Sequence, residues 1–317
     1  MNIPAPVSVV IPAFNAGGSL GRAIRSALHQ TVPPAEVLVI DDGSIDGTFQ
    51  IAESFGPPVR VLYQRHAGAA AARNTGIAAS IAPLIAFLDA DDEWLPRRLQ
   101  RQLPLHRRPL AFSFCGSHEV DEEGRRLGDT FAEWSPVTGT EAWRALLARN
   151  FVATPTVIAD RQSLARAGGF DSRLKVGEDQ DMWIRLALLG AVDFVPDDLV
   201  QVHVRRGSLS TIRFEDELDF TWPMIERHLA LLADRLSAAE LRRIRGERLG
   251  RMGRTAYAHG RTALGARLVW RALCLRNRPW RNLYHLAAAS PPAKRVRRWL
   301  GHWGAASPME TKRAGGV

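Results

Sequence analysis

The sequence predicts an α/β protein: a mostly parallel, twisted sheet flanked by helices, followed by a helical C-terminal extension. Three observations carry that reading. Short apolar or β-branched runs recur at residues 7–11, 37–40, 59–63 and 84–88, as expected of strands covered on both faces. Helical segments alternate with them at a spacing of roughly 30 residues, the length of a βαβ unit. Beyond Phe214 the strand pattern stops, and the remaining chain is rich in Arg, Ala and Leu.

In order, the first strand is ended by Pro12. Residues 19–30 then set Leu20, Ile24, Ala27 and Leu28 on one helical stripe. The second strand, 37–40, ends at Asp41-Asp42-Gly43-Ser44. A short helix over 48–54, a strand over 59–63 and an Ala-rich helix over 68–79 follow, and the strand at 84–88 ends at Asp89. Alternation of this kind implies right-handed crossovers in one parallel sheet. Ligands of such sheets bind outside the carboxyl ends of the strands. Phe14-Asn15, Asp41-Asp42 and Asp89-Ala90-Asp91-Asp92 are therefore expected around one crevice. The second half is more mixed. It offers strands at 111–115, 151–158 and 192–195, a hairpin turn at Glu122-Glu123-Gly124 and a helix over 179–189. From there the chain is helical, with breaks at Gly260, Pro279 and Pro291-Pro292. The expected division is a catalytic domain over 1–212 and a basic helical region over 213–317.

The net charge of +9 is unevenly placed. From Leu241 to Val317 there are 18 Lys/Arg against two acids, a net of +16, whereas residues 1–240 carry −7. Any basic surface thus belongs to the C-terminal third. The two cysteines, Cys115 and Cys274, do not make a disulfide framework and suit a reducing compartment. The N-terminal residues lack the basic and apolar segments of a secretory signal. No apolar run reaches the roughly 20 residues that span a bilayer. The expectation is a cytoplasmic protein, peripheral to the inner face of the membrane if the basic region binds there.

Four acidic or basic constellations can carry chemistry. Asp89 and Asp91, two residues apart at a strand end, can face one cation, and their hard oxygens suit Mg²⁺ or Mn²⁺. The bland reading is a helix start, with Asp92 as cap ahead of Glu93 and Pro96. Asp42 can accept from a nucleobase or ribose, or simply make an Asp-Gly turn. Arg73, in a stretch otherwise free of charge, needs a partner: a diphosphate or an aspartate of the sheet. Glu178-Asp179-Gln180-Asp181 precedes a helix. Its acids are either caps and dipole partners or include a general base.

The order of motifs is more specific than any one of them. Val7-Ser8-Val9-Val10-Ile11-Pro12-Ala13-Phe14-Asn15 comes first, then Asp41-Asp42-Gly43-Ser44 with Asp46-Gly47-Thr48. Arg73-Asn74 with Gly76, Asp89-Ala90-Asp91-Asp92 with Trp94, Gly168-Gly169-Phe170-Asp171, and Glu178-Asp179 with Asp181, Trp183, Arg185 and Leu186 follow in turn. Over about residues 5–212 this resembles the family 2 inverting glycosyltransferases, whose fold is of the GT-A type. The resemblance implies that Phe14 lies against the nucleotide base, Asp42 hydrogen-bonds it, and Arg73 sits near the diphosphate. Asp89 and Asp91 would form the DxD motif, with Asp91 the direct metal ligand and Asp179 the catalytic base. Family members carry Arg-x-His before Gly-Ser-x-Ser. Here Arg205 stands where that His is common, and His203 lies two residues early. A cation cannot ligate a metal, so Arg205 is assigned to the diphosphate.

The implied reaction moves a sugar from a UDP- or dTDP-linked donor to a glycan or lipid-linked glycan, in surface polysaccharide synthesis. The rival enzyme class is a sugar-phosphate nucleotidyltransferase. That class places a glycine-rich basic loop after the first strand, and Ala16-Gly17-Gly18-Ser19 has no adjacent Lys. Nucleic acid is not an expected partner, because the basic residues show no stacking pattern, zinc motif or helix-turn-helix signature. Val296, Trp299, Leu300 and Trp303, flanked by Lys294, Arg295, Arg297 and Arg298, read either as a helix on an anionic membrane or as a stripe packed on the catalytic domain.

Overall fold

Strand β1 (Ala5–Ala13) is buried almost along its whole length, which accounts for its unbroken apolar run. The computed structural model describes residues 5–131, 135–204 and 214–275. β1 pairs in parallel with β2 (Pro34–Asp41) on one side and β4 (Leu84–Phe87) on the other, and β2 pairs in parallel with β3 (Val59–Tyr63). The register sets Ala13 beside Asp41, so the two strand ends lie level. Beyond β4 the sheet turns mixed. β8 (Ile158–Asp160) is antiparallel to β4, and β6 (Phe112–Val120) antiparallel to β8. β9 (Val192–His203) then runs parallel to β6, and β5 (Glu93–Trp94) closes the order β3-β2-β1-β4-β8-β6-β9-β5. β7 (Arg126–Asp129) forms the hairpin with β6.

Helices α1 (Leu20–Leu28), α2 (Thr48–Glu53) and α3 (Ala69–Ala79) make the crossovers. Leu20, Ala23, Ile24 and Ala27 of α1 are buried, the face its periodicity sets. α3 lies on β1 at a point where no side chain fits. A Cβ on Gly76 would stand 2.3 Å from Val10 Cγ1. That approach carries Arg73, about one turn earlier on α3, to the crevice at the strand ends. Shorter helices α4 (Arg98–Gln102), α5 (Ala142–Ala148) and α6 (Arg161–Arg166) precede α7 (Glu178–Leu189).

Three local readings are corrected. The strand expected over 151–158 is a 3₁₀ turn at Thr154–Thr156 followed by β8, because Pro155 has no N–H for a ladder. The strand expected over 192–195 runs on to His203, past Pro196, through register shifts around Gly116. Asp92 starts no helix. β5 follows it, α4 begins at Arg98, and the Asp92 carboxylate accepts the His203 N–H at 3.0 Å.

The chain divides into two units, Met1–Leu231 and Leu232–Val317. The helical run α8 (Phe214–Asp216), a π turn at Glu217–Thr221, and α9 (Trp222–Leu231) therefore goes with the first unit. α9 earns that place by burying Met224, Ile225, His228 and Leu229. In the second unit, α10 (Ala238–Ala258) opens on a Ser237/Glu240 capping box and pairs with α11 (Thr262–Cys274). The two helices cross at glycines: a Cβ on Gly253 would come 2.5 Å from Val269 Cγ2. Among the described residues no helix is long and apolar enough to cross a membrane.

Candidate active site

The loop after β1 is shaped by the loop after β2. Asn15 sits at φ 48°, a region Asn tolerates better than most residues. Its N–H donates to Ser44 Oγ at 2.9 Å, and the Ile45 N–H donates back to Asn15 Oδ1 at 3.0 Å. The Ala16 N–H reaches Thr48 Oγ1, and the Gly17 N–H reaches Asp46 Oδ2. Asp41, Ser44, Asp46 and Thr48 are thus spent on backbone geometry, with the Ser44 N–H donating to Asp41 Oδ1 at 2.9 Å.

Asp42 is buried, and its carboxylate is fully engaged by the segment after β3. Gln64 Nε2 and the Ala67 N–H donate to Oδ1 at 2.6 and 2.9 Å. The Gly68 N–H donates to Oδ2 at 2.8 Å, and His66 Nδ1 lies 2.9 Å from the same oxygen. Residues 64–68 are therefore folded around Asp42. His66 in turn stacks on Phe14, ring centroids 4.1 Å apart. Phe14 stays 48% exposed, a flat apolar face held open at the crevice edge.

Arg73 links two acidic elements. Its Nη2 donates to Asp89 Oδ1 at 2.8 Å, at the end of β4, and its Nη1 to Glu178 Oε1 at 3.0 Å, at the start of α7. Burial works against the charge, but the Asp89 and Glu178 carboxylates outweigh it and hold the guanidinium more firmly protonated than usual. The Phe170 ring lies 5.4 Å from the guanidinium carbon. Of the two partners open to Arg73, the sheet aspartate is present, with Glu178 in addition. The neighbouring Asn74 accepts the Phe170 N–H and donates to the Phe170 carbonyl, fixing the Gly168–Phe170 turn beneath the pair.

The Asp89–Asp92 turn concentrates negative charge. Asp92 is buried, and its carboxyl is pushed well above the usual range by burial and then by Asp89 and Asp91. Arg22 of α1 donates from Nη2 to the Asp91 carbonyl at 2.7 Å and lies 3.5 Å from Glu93. An open cleft of about 350 Å³ adjoins this turn, lined by Arg22, Glu122, His203 and Val204. The side chains of Asp89, Asp91 and Asp92 offer only oxygen, the donor type a hard divalent cation takes. Among the described residues no three His, Cys, Asp or Glu side chains converge on one point. Asp89 and Asp91 would therefore leave most of the coordination sphere to diphosphate and water.

Asp179 lies in the first turn of α7, entered through Gly177 at φ 81°. A Cβ on Gly177 would stand 2.9 Å from Thr221 Oγ1. Asp179 Oδ1 accepts the Gln180 N–H at 2.6 Å, and Oδ2 accepts Asn150 Nδ2 at 2.8 Å. Burial, then Glu178, pushes the carboxyl up to about 6, against the pull of those two donors and Arg73. Asp181, two residues on, has the opposite setting. Arg185 and Arg227 pair with it, and His228 Nε2 lies 2.8 Å away. Burial alone would raise Asp181, yet His228 and Arg185 hold it below the usual range.

The Arg73 bridge brings Asp89 and the start of α7 together, and Phe14 and Asp42 lie along the same strand ends. Arg205 is outside the described residues, as is the stripe from Val296 to Trp303. Sequence patterns did not single out Asn150, Arg22 or His66. Each acts through tertiary contacts from a segment with no motif spacing of its own.

Residues 8–168 match the family model described as Glycosyl transferase family 2. An uncharacterized glycosyltransferase of Rickettsia conorii is 29% identical over 205 residues, covering 64% of this chain and 33% of that protein. The chain thus spans about a third of the length of that relative. The UDP-Glc:alpha-D-GlcNAc-diphosphoundecaprenol beta-1,3-glucosyltransferase WfgD of Escherichia coli is 27% identical over 223 residues, 69% of this chain and 85% of that one. Among solved structures, S. aureus TarS 1–349 in complex with UDP-GlcNAc superposes with a TM-score of 0.56 at 18% identity, covering 92% of each chain. That likeness shows the fold, which is of the GT-A type expected from the motifs.

Replacing Arg73 with Met keeps the volume and removes the bridge. Asp89 and Glu178 then face each other without their counter-charge, and the protein is expected to lose about 3 kcal/mol, as when one partner of a buried pair is removed. Thermal and urea unfolding measure this. An unchanged midpoint would mean that solvent already screens the two carboxylates.

Proposed function

The chain belongs to glycosyl transferase family 2, and we propose that it transfers a sugar, with inversion, from a nucleoside-diphosphate sugar to a hydroxyl of a glycan or lipid-linked glycan, in surface polysaccharide synthesis. The observation that carries this reading is Asp179, a carboxyl raised to about 6 at the crevice, next to Glu178, which a buried arginine joins to the acidic turn. A base with that proton affinity is ionised at neutral pH yet strong enough to take a hydroxyl proton.

The reaction is one displacement. Asp179 takes the acceptor hydroxyl proton as the oxygen attacks the anomeric carbon. The bond from that carbon to the diphosphate breaks with its electron pair, and the nucleoside diphosphate leaves. Phe14, backed by His66, offers its face to the base. Asp42 acts on the nucleotide by holding residues 64–68 in place, and Arg205 is assigned to the diphosphate. A UDP- or dTDP-linked donor is the favoured class. Support comes from TarS, solved with UDP-GlcNAc, and from WfgD, whose name records UDP-Glc and a diphosphoundecaprenol acceptor.

Mg²⁺ or Mn²⁺, held by Asp91 and Asp89, would neutralise charge on the leaving diphosphate. The basic C-terminal region is proposed to rest on an anionic membrane face, where a lipid-linked acceptor would lie. Trp270, 61% exposed and flanked by Arg267 and Arg271 on α11, adds to the basic stripe after it.

Nucleoside diphosphate release from a panel of UDP- and dTDP-sugars tests the activity. Asp179→Asn is expected to bind donor normally and to turn over about 10²–10⁴-fold more slowly. In the unaltered protein kcat/KM should fall as pH drops through about 6, because the base must be ionised to accept a proton. Near-normal turnover by Asp179→Asn, or a rate that is flat through that range, sinks the assignment. Chelation with EDTA should abolish turnover, Mn²⁺ or Mg²⁺ should restore it, and Asp91→Ala should weaken donor binding measured calorimetrically. Full activity in EDTA removes the metal. For the membrane, the full chain should co-sediment with anionic but not neutral vesicles in a salt-sensitive way. Truncation after Ser290 should weaken this, and equal partitioning of both forms rejects it.

A further inference from the structure

One contact at the base is not used by the displacement above. Asn150 lies just beyond the end of α5 and donates Nδ2 to Asp179 Oδ2 at 2.8 Å, while its Oδ1 accepts the Val152 N–H at 3.3 Å. An ionised carboxylate only accepts and a backbone N–H only donates. A single orientation of the amide serves both. Asn150 is therefore a one-way donor toward the base. Gln180, whose N–H holds the other Asp179 oxygen, donates its side chain to the Leu146 carbonyl of α5. α5 and the turn after it thus grip α7 on both sides of the carboxylate.

We propose that Asn150 is a positioning residue for the base: it fixes the plane of the Asp179 carboxylate and favours its ionised form. This inference rests on the reading of Asp179 as the base. The charged groups acting on Asp179 are Glu178 from its own helix, which together with burial raises its proton affinity, and Arg73 from α3, which lowers it. Of the two neutral donors, the Gln180 N–H belongs to the helix backbone, where only proline would remove it, together with the Gln180 side chain that holds α5. Asn150 is the donor that a side-chain change can take away. Without it, burial and Glu178 are less opposed, and the carboxyl must hold its proton to higher pH.

The test measures the pH dependence of nucleoside diphosphate release from about pH 5 to 9, with the donor that the panel selects, for Asn150→Ala, Asn150→Asp and Asp179→Asn. Asn150→Ala should lower kcat by about 10-fold or more, the usual loss for a supporting hydrogen-bond partner, with donor KM unchanged. Its acid limb should move up by about one pH unit. Asn150→Asp has nearly the same shape, can still accept the Val152 N–H, and sets a second acid against the base. Its acid limb should move up further, with activity recovering toward high pH. If both variants keep the acid limb of the unaltered protein, Asn150 only packs, and the inference is overturned whatever the plateau rates. If Asn150→Ala does not fold, Asn150→Asp decides alone. Asp179→Asn separates the two failures. Near-normal turnover by that variant rejects the base itself, whereas lost turnover with unmoved limbs in the Asn150 variants rejects the role of Asn150 only.

Discussion

The crevice depends on one buried cation. Arg73 joins Asp89 at the end of β4 to Glu178 at the start of α7, elements with no sequence proximity. Burying a guanidinium costs several kcal/mol unless its charge and donors are met. Here two carboxylates and the face of Phe170 meet most of it, although Nε stays without a partner. The height of Arg73 above the sheet is set elsewhere, at Gly76, where α3 touches β1 too closely for any side chain. A packing constraint about one helical turn away thus fixes where two acidic elements meet.

Around that cation, carboxylates of the same chemistry are given different work by their surroundings. Asp42 accepts from Gln64, two backbone N–H groups and His66, so its charge organises a loop. Asp181 is matched by Arg185, Arg227 and His228 and fastens α7 to α9. Asp92 accepts one backbone N–H, from His203, and burial, then two acidic neighbours, push its carboxyl well above the usual range. Among the described residues Asp179 has two neutral donors and no cation among its hydrogen-bond partners, and burial, then Glu178, raises it to about 6. The number and kind of donors around each group, more than its identity, sorts structure from chemistry.

Much of the first half of the fold is legible because β1, β2 and β4 are covered on both faces and so read as continuous apolar runs. The second half hides its strands. β9 carries Pro196 and register shifts, β8 is only three residues long, and an apolar stretch around Pro155 that looks like a strand is a 3₁₀ turn. The acidic site residues are legible as an ordered series of motifs at strand ends. The groups that tune them are not. Glu178 reaches Arg73 across 105 positions, and Asn150 reaches Asp179 from a turn with no periodicity. Tertiary geometry alone reveals such contacts: Arg73 and Glu178 stand in separate motifs whose pairing spacing does not give, and Asn150 stands in none.

The order of Glu178 and Asp179 along α7 then has a chemical consequence. Successive residues at a helix start project about 100° apart, so only one of them can meet Arg73 directly. The structure gives the arginine to Glu178. Had Asp179 taken it, a cation in contact would have pulled that carboxyl down, and the group would have been a poorer proton acceptor. With Arg73 in contact with Glu178 and acting on Asp179 only through its field, burial and then the Glu178 carboxylate prevail, and the proton affinity settles at about 6. The Gln180 N–H, the Asn150 amide and the field of Arg73 keep the rise from going further. A one-residue offset thus decides which acid is spent on holding the crevice together and which keeps a raised proton affinity.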